Sequence, residues 1–273
     1  MESYFFVPAS KINKIQELSK LKLNTIIIDF EDAIKASQRN DFFKELKDLE
    51  NCKDYYLRVP LHDLTNASNL DLTLISKFIK QGFTKFVLPK ISSINQLDQV
   101  LEEFKLEALE VILLIETPRL YLELQPTIFK YNKRLSGIGL GSHDFMSIVG
   151  GKHILKNLEV VRQNILYLAK SCNLKSIDIA SMEIKDEESF KNEVIDGFNK
   201  GYEGKFIIHP RQLYLINSIK FYSEKEYIQA LKIEKELSKI KNKKEFNPIV
   251  IEGRVIEQPH INRAKQVLKN YKK

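Results

Sequence analysis

Eight short apolar runs alternate with amphipathic stretches along most of this chain, and that alternation constrains the fold more than any other feature. The runs fall at residues 4–8, 25–30, 55–59, 85–88, 111–115, 136–140, 176–180 and 205–208. They are too short for buried helices and mostly rich in β-branched or aromatic residues, as buried strands require. Between them, apolar residues recur at helical spacing. Leu70, Leu74, Phe78 and Ile79 form one stripe, and Ile94, Leu97, Val100, Leu101 and Phe104 another. Strands that are each followed by a helix pair in parallel, because a parallel neighbour needs a long crossover. Eight such units within 273 residues predict a closed (β/α)8 TIM barrel rather than an open sheet.

After the eighth run the pattern changes. Ser223 is placed to cap a long helix carrying Tyr227, Ala230, Leu231, Ile233, Leu237 and Ile240. An extended piece follows at 248–253, and Pro259 precedes a last amphipathic helix with Ile261, Ala264, Val267 and Leu268. The expected organisation is a barrel over residues 1–222 and a C-terminal helical extension over 223–273. Such a tail leaves the barrel body and is expected to meet a neighbouring subunit.

Composition narrows the function classes. No stretch approaches the roughly 20 apolar residues of a membrane span. The net charge is +7, but lysines such as Lys239, Lys241, Lys243 and Lys244 lie on helical faces with acidic residues interleaved. With no Trp, no aromatic-basic platform and no zinc-finger spacing, nucleic acid is not an expected partner. Cys52 and Cys172 make no disulfide framework, and the opening MESYFFVPAS has no basic segment of a leader, so a cytoplasmic location is expected.

In a (β/α)8 barrel the active site sits at the carboxyl ends of the strands. Those positions hold Asp29, Glu31 and Asp32 after strand 2, Arg58 on strand 3, Lys90 after strand 4, and Glu116 and Thr117 after strand 5. Ser142, His143 and Asp144 follow strand 6, and His209 follows strand 8. A ring of mixed sign suits a metal and an anionic substrate held together. Glu116 and Asp144, on successive strand ends, are the candidate ligands of one hard divalent cation, Mg2+ or Mn2+. Such an ion is a Lewis acid toward a substrate carbonyl, and Arg58 would stabilise negative charge on its oxygen. Glu31, Asp32 and Lys90 are further substrate-binding candidates. Each residue also has a structural alternative. Arg58 can pair with Asp29 or Glu31, Glu116 with Lys90, and Asp144 can cap a helix. His209 can simply order its loop; His62, His153 and His260 show no ligand spacing.

In this order the motifs resemble the citrate lyase β-subunit and the wider HpcH/HpaI aldolase group of the pyruvate-kinase-like barrels. Phe5-Phe6-Val7-Pro8 is similar to the group's opening strand, and Ile28-Asp29-Phe30-Glu31-Asp32-Ala33-Ile34, with Lys35 and Arg39 following, to its acidic segment. Leu57-Arg58-Val59, Leu88-Pro89-Lys90 and Ile115-Glu116-Thr117-Pro118 resemble the next three signatures. Gly204-Lys205-Phe206-Ile207-Ile208-His209-Pro210-Arg211-Gln212 resembles the most specific one, and Gly253-Arg254-Val255-Ile256-Glu257-Gln258-Pro259 the tail. The resemblance implies a Mg2+-dependent carbon–carbon lyase acting on a 3-hydroxy acid or its citryl-, malyl- or citramalyl-CoA type thioester. It implies Glu116 and Asp144 on the metal, Arg58 on the substrate, and a homotrimer in which Glu257 of one chain acts as acid or base in the site of the next. The rival readings are an aldolase for a free 2-oxo acid, and a catalytically silent barrel serving as a binding or assembly subunit.

Four positions depart from the pattern. Glu2 stands where an Arg is usual, which predicts weak coenzyme A binding or binding through other basic residues. His143 replaces a frequent Glu, Glu257 lengthens the tail Asp, and Pro118-Arg119-Leu120 lacks a Gly. These departures predict a divergent branch with its own substrate.

Overall fold

Eight parallel strands close on themselves in sequence order in the computed structural model of the chain, which describes residues 1–19, 25–47, 49, 51–62, 69–104, 108–239 and 248–271. The strands are β1 (Glu2–Pro8), β2 (Thr25–Asp29), β3 (Tyr56–Arg58), β4 (Lys85–Leu88), β5 (Glu110–Ile115), β6 (Gly137–Leu140), β7 (Lys175–Asp178) and β8 (Gly204–Ile207), with β8 pairing back onto β1. Around them run α1 (Ile15–Ser19), α2 (Arg39–Lys47), α3 (Thr73–Lys80), α4 (Ile94–Glu103), α5 (Pro118–Leu124), α6 (Ser142–Val149), α7 (Leu155–Ser171), α8 (Glu187–Lys200) and α9 (Pro210–Ser218). The expected (β/α)8 TIM barrel is the observed fold.

Local chemistry explains where helices begin. The Ser93 hydroxyl accepts from the Gln96 amide at 3.3 Å to start α4, and Thr117 accepts from Leu120 at 3.1 Å ahead of Pro118 to start α5. Asp186 caps α8 through the Ser189 amide at 2.9 Å, and Gly201, at φ 110°, ends it.

The two-residue period of a strand decides what fills the barrel. Tyr4, Ile27, Tyr56, Val87, Ile112, Leu114, Ile177 and Phe206 form one buried cluster, with Phe6 and Ala180 packed against it. At Gly139 a Cβ atom would lie 2.5 Å from the Phe206 ring. The missing side chain on β6 is what lets Phe206 occupy the barrel centre.

Residues 1–217 and 218–273 form two compact units, a division five residues before the expected boundary at 222. The second unit holds α10 (Glu224–Ser238), a hairpin of β9 (Ile249–Ile251) and β10 (Arg254–Ile256), and α11 (Gln258–Asn270). Ser223 and Glu226 form a capping box at the start of α10. The extended piece expected at 248–253 is the first half of the hairpin. Its turn uses Glu252 at φ 49° and Gly253 at φ 78°, the doubly positive pair that a tight hairpin turn requires. Tyr227 and Tyr271 stack at 4.2 Å between α10 and the end of α11. Among the described residues, no helix is long and apolar enough to cross a membrane.

Candidate active site

Continuing each inward stripe by one step builds the site. Asp29 follows Ile27, Arg58 follows Tyr56, Glu116 follows Leu114 and Gly141 follows Gly139, all at spacing two. These positions form the layer above the apolar core, at the carboxyl end of the barrel. They line a cavity of about 280 Å³ together with Asp32, His143 and Asp144, over walls that include Phe6, Leu114, Met182 and Phe206.

Strand register brings Arg58 level with Asp29. Its Nε and Nη2 donate to the two Asp29 carboxylate oxygens at 2.8 and 2.6 Å, a planar fork. Nη1 faces Glu31 at 3.3 Å, and Nη2 lies 3.5 Å from Asp32. The guanidinium rests 4.8 Å above the Phe6 ring. Burial works against the charge, but the Asp29 hydrogen bonds and the three carboxylates outweigh it and raise the Arg58 pKa.

Lys90 ties the acidic segment to Glu116. Its Nζ bonds Glu31 and Asp32, each at 2.8 Å, while its main-chain N–H donates to Glu116 Oε2 at 2.5 Å. The alternative of an ion pair between Glu116 and the Lys90 ammonium is therefore replaced by a main-chain contact. Lys90 adopts φ 54°, a left-handed conformation unusual for a side chain of this kind.

Glu116 is 2% exposed. A Cβ atom at position 141 would stand 2.3 Å from its Cγ, so Gly141 is what admits it. Burial first, then the Glu31 and Asp144 charges, push its pKa up to about 8, although the Lys90 amide and Arg58 oppose them. Asp144 is exposed, in the first turn of α6, whose N-cap is Gly141. Helix capping by Asp144 is thus not what the structure contains.

These residues fit a hard divalent cation. Glu116 and Asp144 offer oxygen donors on one cavity. Two carboxylates leave room for waters and substrate oxygens, as Mg2+ prefers. Among the described residues, no three His, Cys, Asp or Glu side chains already stand as a complete cage.

Of the residues singled out from sequence, Glu31, Asp32, Arg58, Lys90, Glu116 and Asp144 come together at this mouth. Glu257 lies in the second unit, exposed, at the N-cap of α11, where its amide donates to His260 Nδ1 at 3.1 Å. Arg263, in the same helix, pairs with Glu226 at 3.3 Å. His209 orders its loop, accepting from the Arg211 amide at 3.1 Å. Glu2 begins β1 at the amino end of the strand, where Lys175 pairs with it at 3.2 Å. It lies at the end of the barrel away from the cavity.

Of the two partners expected for Arg58, register makes Asp29 the one that aims it. Two features escaped the sequence reading. Phe6 is the floor under the guanidinium. His143 and His153 stack with centroids 3.7 Å apart and planes within 10°, and His153 Nε2 lies 2.9 Å from the Ser142 hydroxyl. A contact across eleven residues (142 to 153) has no periodic signal in sequence; only the close repeat of two His after strand 6 hints at it.

A family model described as HpcH/HpaI aldolase/citrate lyase matches residues 2–210. Citrate lyase subunit beta of Haemophilus influenzae is 24% identical over 285 residues, covering 99% of this chain and 96% of that protein. The (3S)-malyl-CoA thioesterase of Cereibacter sphaeroides is 26% identical, covering 97% and 93%. The CitE protein of Mycobacterium tuberculosis, solved with magnesium, acetoacetate and coenzyme A, superposes with a TM-score of 0.75 at 18% identity, covering 98% of this chain and 97% of that one. At that identity the superposition speaks for the fold.

Proposed function

Because this chain belongs to the HpcH/HpaI aldolase/citrate lyase family, we propose that it is a Mg2+-dependent lyase that cleaves or forms a carbon–carbon bond in a 3-hydroxy acyl thioester. The observation that carries this reading is the meeting of Glu116, Asp144 and Arg58 on one cavity at the carboxyl end of the barrel. Glu116 and Asp144 would hold the ion, which would supply Lewis acidity toward the oxygens of the oxo acid.

In the cleavage direction the substrate hydroxyl gives its proton to a water at the cavity mouth and becomes a carbonyl. The bond to the neighbouring methylene breaks, and its electron pair passes to the thioester as an enolate. Arg58 faces that charge with Nη1, the edge of its guanidinium that the Asp29 fork leaves over. A proton then returns to carbon, and Glu257 of a neighbouring chain in a homotrimer is the proposed donor. Four large apolar side chains left exposed in the second unit, Ile228, Leu231, Val250 and Val255, support such a chain contact.

Basic residues at the same barrel end favour a phosphate-bearing carrier such as coenzyme A. Lys11 and Lys14 follow β1, and Lys35 and Arg39 follow β2. None of the four is ion-paired among the described residues, and Arg39 Nε is a buried donor without a partner there.

The thioesterase relative favours a second reading, hydrolysis of the same class of thioester. One assay separates the two. The protein is incubated with Mg2+ and racemic malyl- or citramalyl-CoA, and products are identified. Acetyl-CoA with glyoxylate or pyruvate, lost in Glu116→Ala by about 10²-fold or more, is the expected result. Free coenzyme A with malate or citramalate would make the chain a thioesterase. Turnover of the free acids but of neither thioester would make it an aldolase. Equal Mg2+ affinity in Glu116→Ala and wild type, by calorimetric titration, would remove the metal assignment.

A further inference from the structure

We propose that His143 is a substrate-binding residue that donates from Nδ1 to the carboxylate of the 2-oxo acid in the cavity, and that His153 and Ser142 hold it in that pose. The inference rests on the lyase reading above.

The argument begins with the donors available. Carboxyl groups aside, Arg58, Ser142 and His143 are, among the described residues, the only side chains lining the cavity that carry an N–H or O–H. Arg58 has Nε and Nη2 on Asp29 and Nη1 against Glu31. The Ser142 hydroxyl is tied to His153 at 2.9 Å. Neither ring nitrogen of His143 has a hydrogen-bond partner among the described residues, and Nε2 is buried. His143 is thus the one of these side chains without a hydrogen-bond partner among the described residues, beside Arg58 Nη1 and the main-chain N–H groups that open α6.

An imidazole carries at least one N–H in either protonation state. A buried N–H without an acceptor is more costly than a buried lone pair. The proton therefore favours Nδ1, which is the nitrogen left to meet a ligand. The His153 ring, stacked face to face at 3.7 Å, blocks rotation of the His143 ring. His153 is fixed in turn by Ser142, the first residue of α6.

The charge of the cavity identifies the ligand group. Asp29, Asp32, Glu116 and Asp144 line it with Arg58 as the only cationic side chain among the described residues, already surrounded by acids. Even with a divalent ion, an entering carboxylate needs a donor that is not engaged with those acids. His143 and Asp144 line the same wall, so the donor stands beside a proposed ligand of the metal.

Pyruvate binding to the Mg2+-loaded full-length protein tests this by calorimetry, with Mg2+ affinity and circular dichroism measured alongside. His143→Leu keeps bulk and removes the donor; it is expected to weaken pyruvate about tenfold, or about 1.4 kcal/mol, and to leave Mg2+ affinity unchanged. Methyl pyruvate, which lacks the carboxylate, should bind both proteins alike. His143→Asn places an amide nitrogen near the Nδ1 position and should restore most of the affinity, whereas His143→Gln moves the donor one bond outward and should not. Wild-type pyruvate affinity in His143→Leu, or equal affinity in the Asn and Gln variants, overturns the inference alone. A wild-type protein that binds neither Mg2+ nor pyruvate overturns the lyase reading as well, a result that needs no variant to recognise.

Discussion

Arg58 and Glu116 are ionisable groups that the fold has nearly removed from water, and their neighbours act on each in a different way. Arg58 keeps its charge through the Asp29 fork, at 2.8 and 2.6 Å, with Glu31 and Asp32 behind it. A lysine at 58 would satisfy one Asp29 oxygen and have no second edge for substrate. Arg58→Lys is therefore expected to fold normally and lose about 10²-fold in kcat; turnover at the wild-type rate would remove Arg58 from the mechanism. Glu116 is held the other way. Burial, followed by the Glu31 and Asp144 charges, raises its pKa to about 8. In the metal-free protein a raised carboxyl pKa gives stability that is full below the unfolded value and lost as pH rises through about 8. The melting temperature of metal-free wild type should fall between pH 5 and 8 more steeply than that of Glu116→Gln. Added Mg2+ should raise it more at pH 8 than at pH 6, because binding must displace that proton. Parallel pH curves for the two proteins would show that Glu116 does not titrate in this range.

At the scale of elements, the strands were legible because each is short, apolar and followed by a helical stripe. All eight expected runs overlap the observed strands. The acidic and basic residues at their carboxyl ends were legible for the same reason, since the end of a run marks the mouth of a barrel. Pairings across strands were legible only as alternatives. Nothing local in Ile28-Asp29-Phe30 chooses Asp29 over Glu31 as the fork's partner, since that depends on the register of β2 against β3. Nor does Gly141 announce that Glu116 fills the space of its missing side chain. Only the first half of the hairpin of β9 and β10 was legible, because three-residue strands carry too few positions for alternation to register. The buried ion pair on the outside of β7 is a further case. Arg162 on α7 is fully buried and forks onto Asp178 at 3.0 and 2.8 Å, with Asp196 of α8 at 2.9 Å. At Gly197 a Cβ atom would lie 2.3 Å from an Asp178 oxygen, so α8 reaches this pair only through a glycine. Arg162→Ala leaves Asp178 buried without its cation and is expected to cost about 3–5 kcal/mol. Denaturant unfolding checks it; a loss below about 1 kcal/mol would mean that water reaches Asp178.

At the scale of the whole molecule the open question is where Glu257 works. It stands exposed at the start of α11, in the unit formed by residues 218–273, whereas the cavity belongs to the unit formed by residues 1–217. No ion pair engages its carboxylate among the described residues; its structural task there is the capping box with His260 that opens α11. In a proposed homotrimer it enters the cavity of the next chain, where a carboxylic acid moves a proton best once burial raises its pKa toward working pH. Complementation tests this without a structure of the assembly. Glu116→Ala chains have a damaged barrel site and an intact tail; Glu257→Gln chains have the reverse. Each is expected to be inactive alone. Co-assembled, some cavities receive an intact barrel from one chain and an intact Glu257 from its neighbour, so partial activity should return in proportion to the mixed trimers counted by native mass spectrometry. If mixed trimers form and the activity stays absent, Glu257 does not serve a neighbour's site. If Glu257→Gln is active on its own, the returning proton comes from another group.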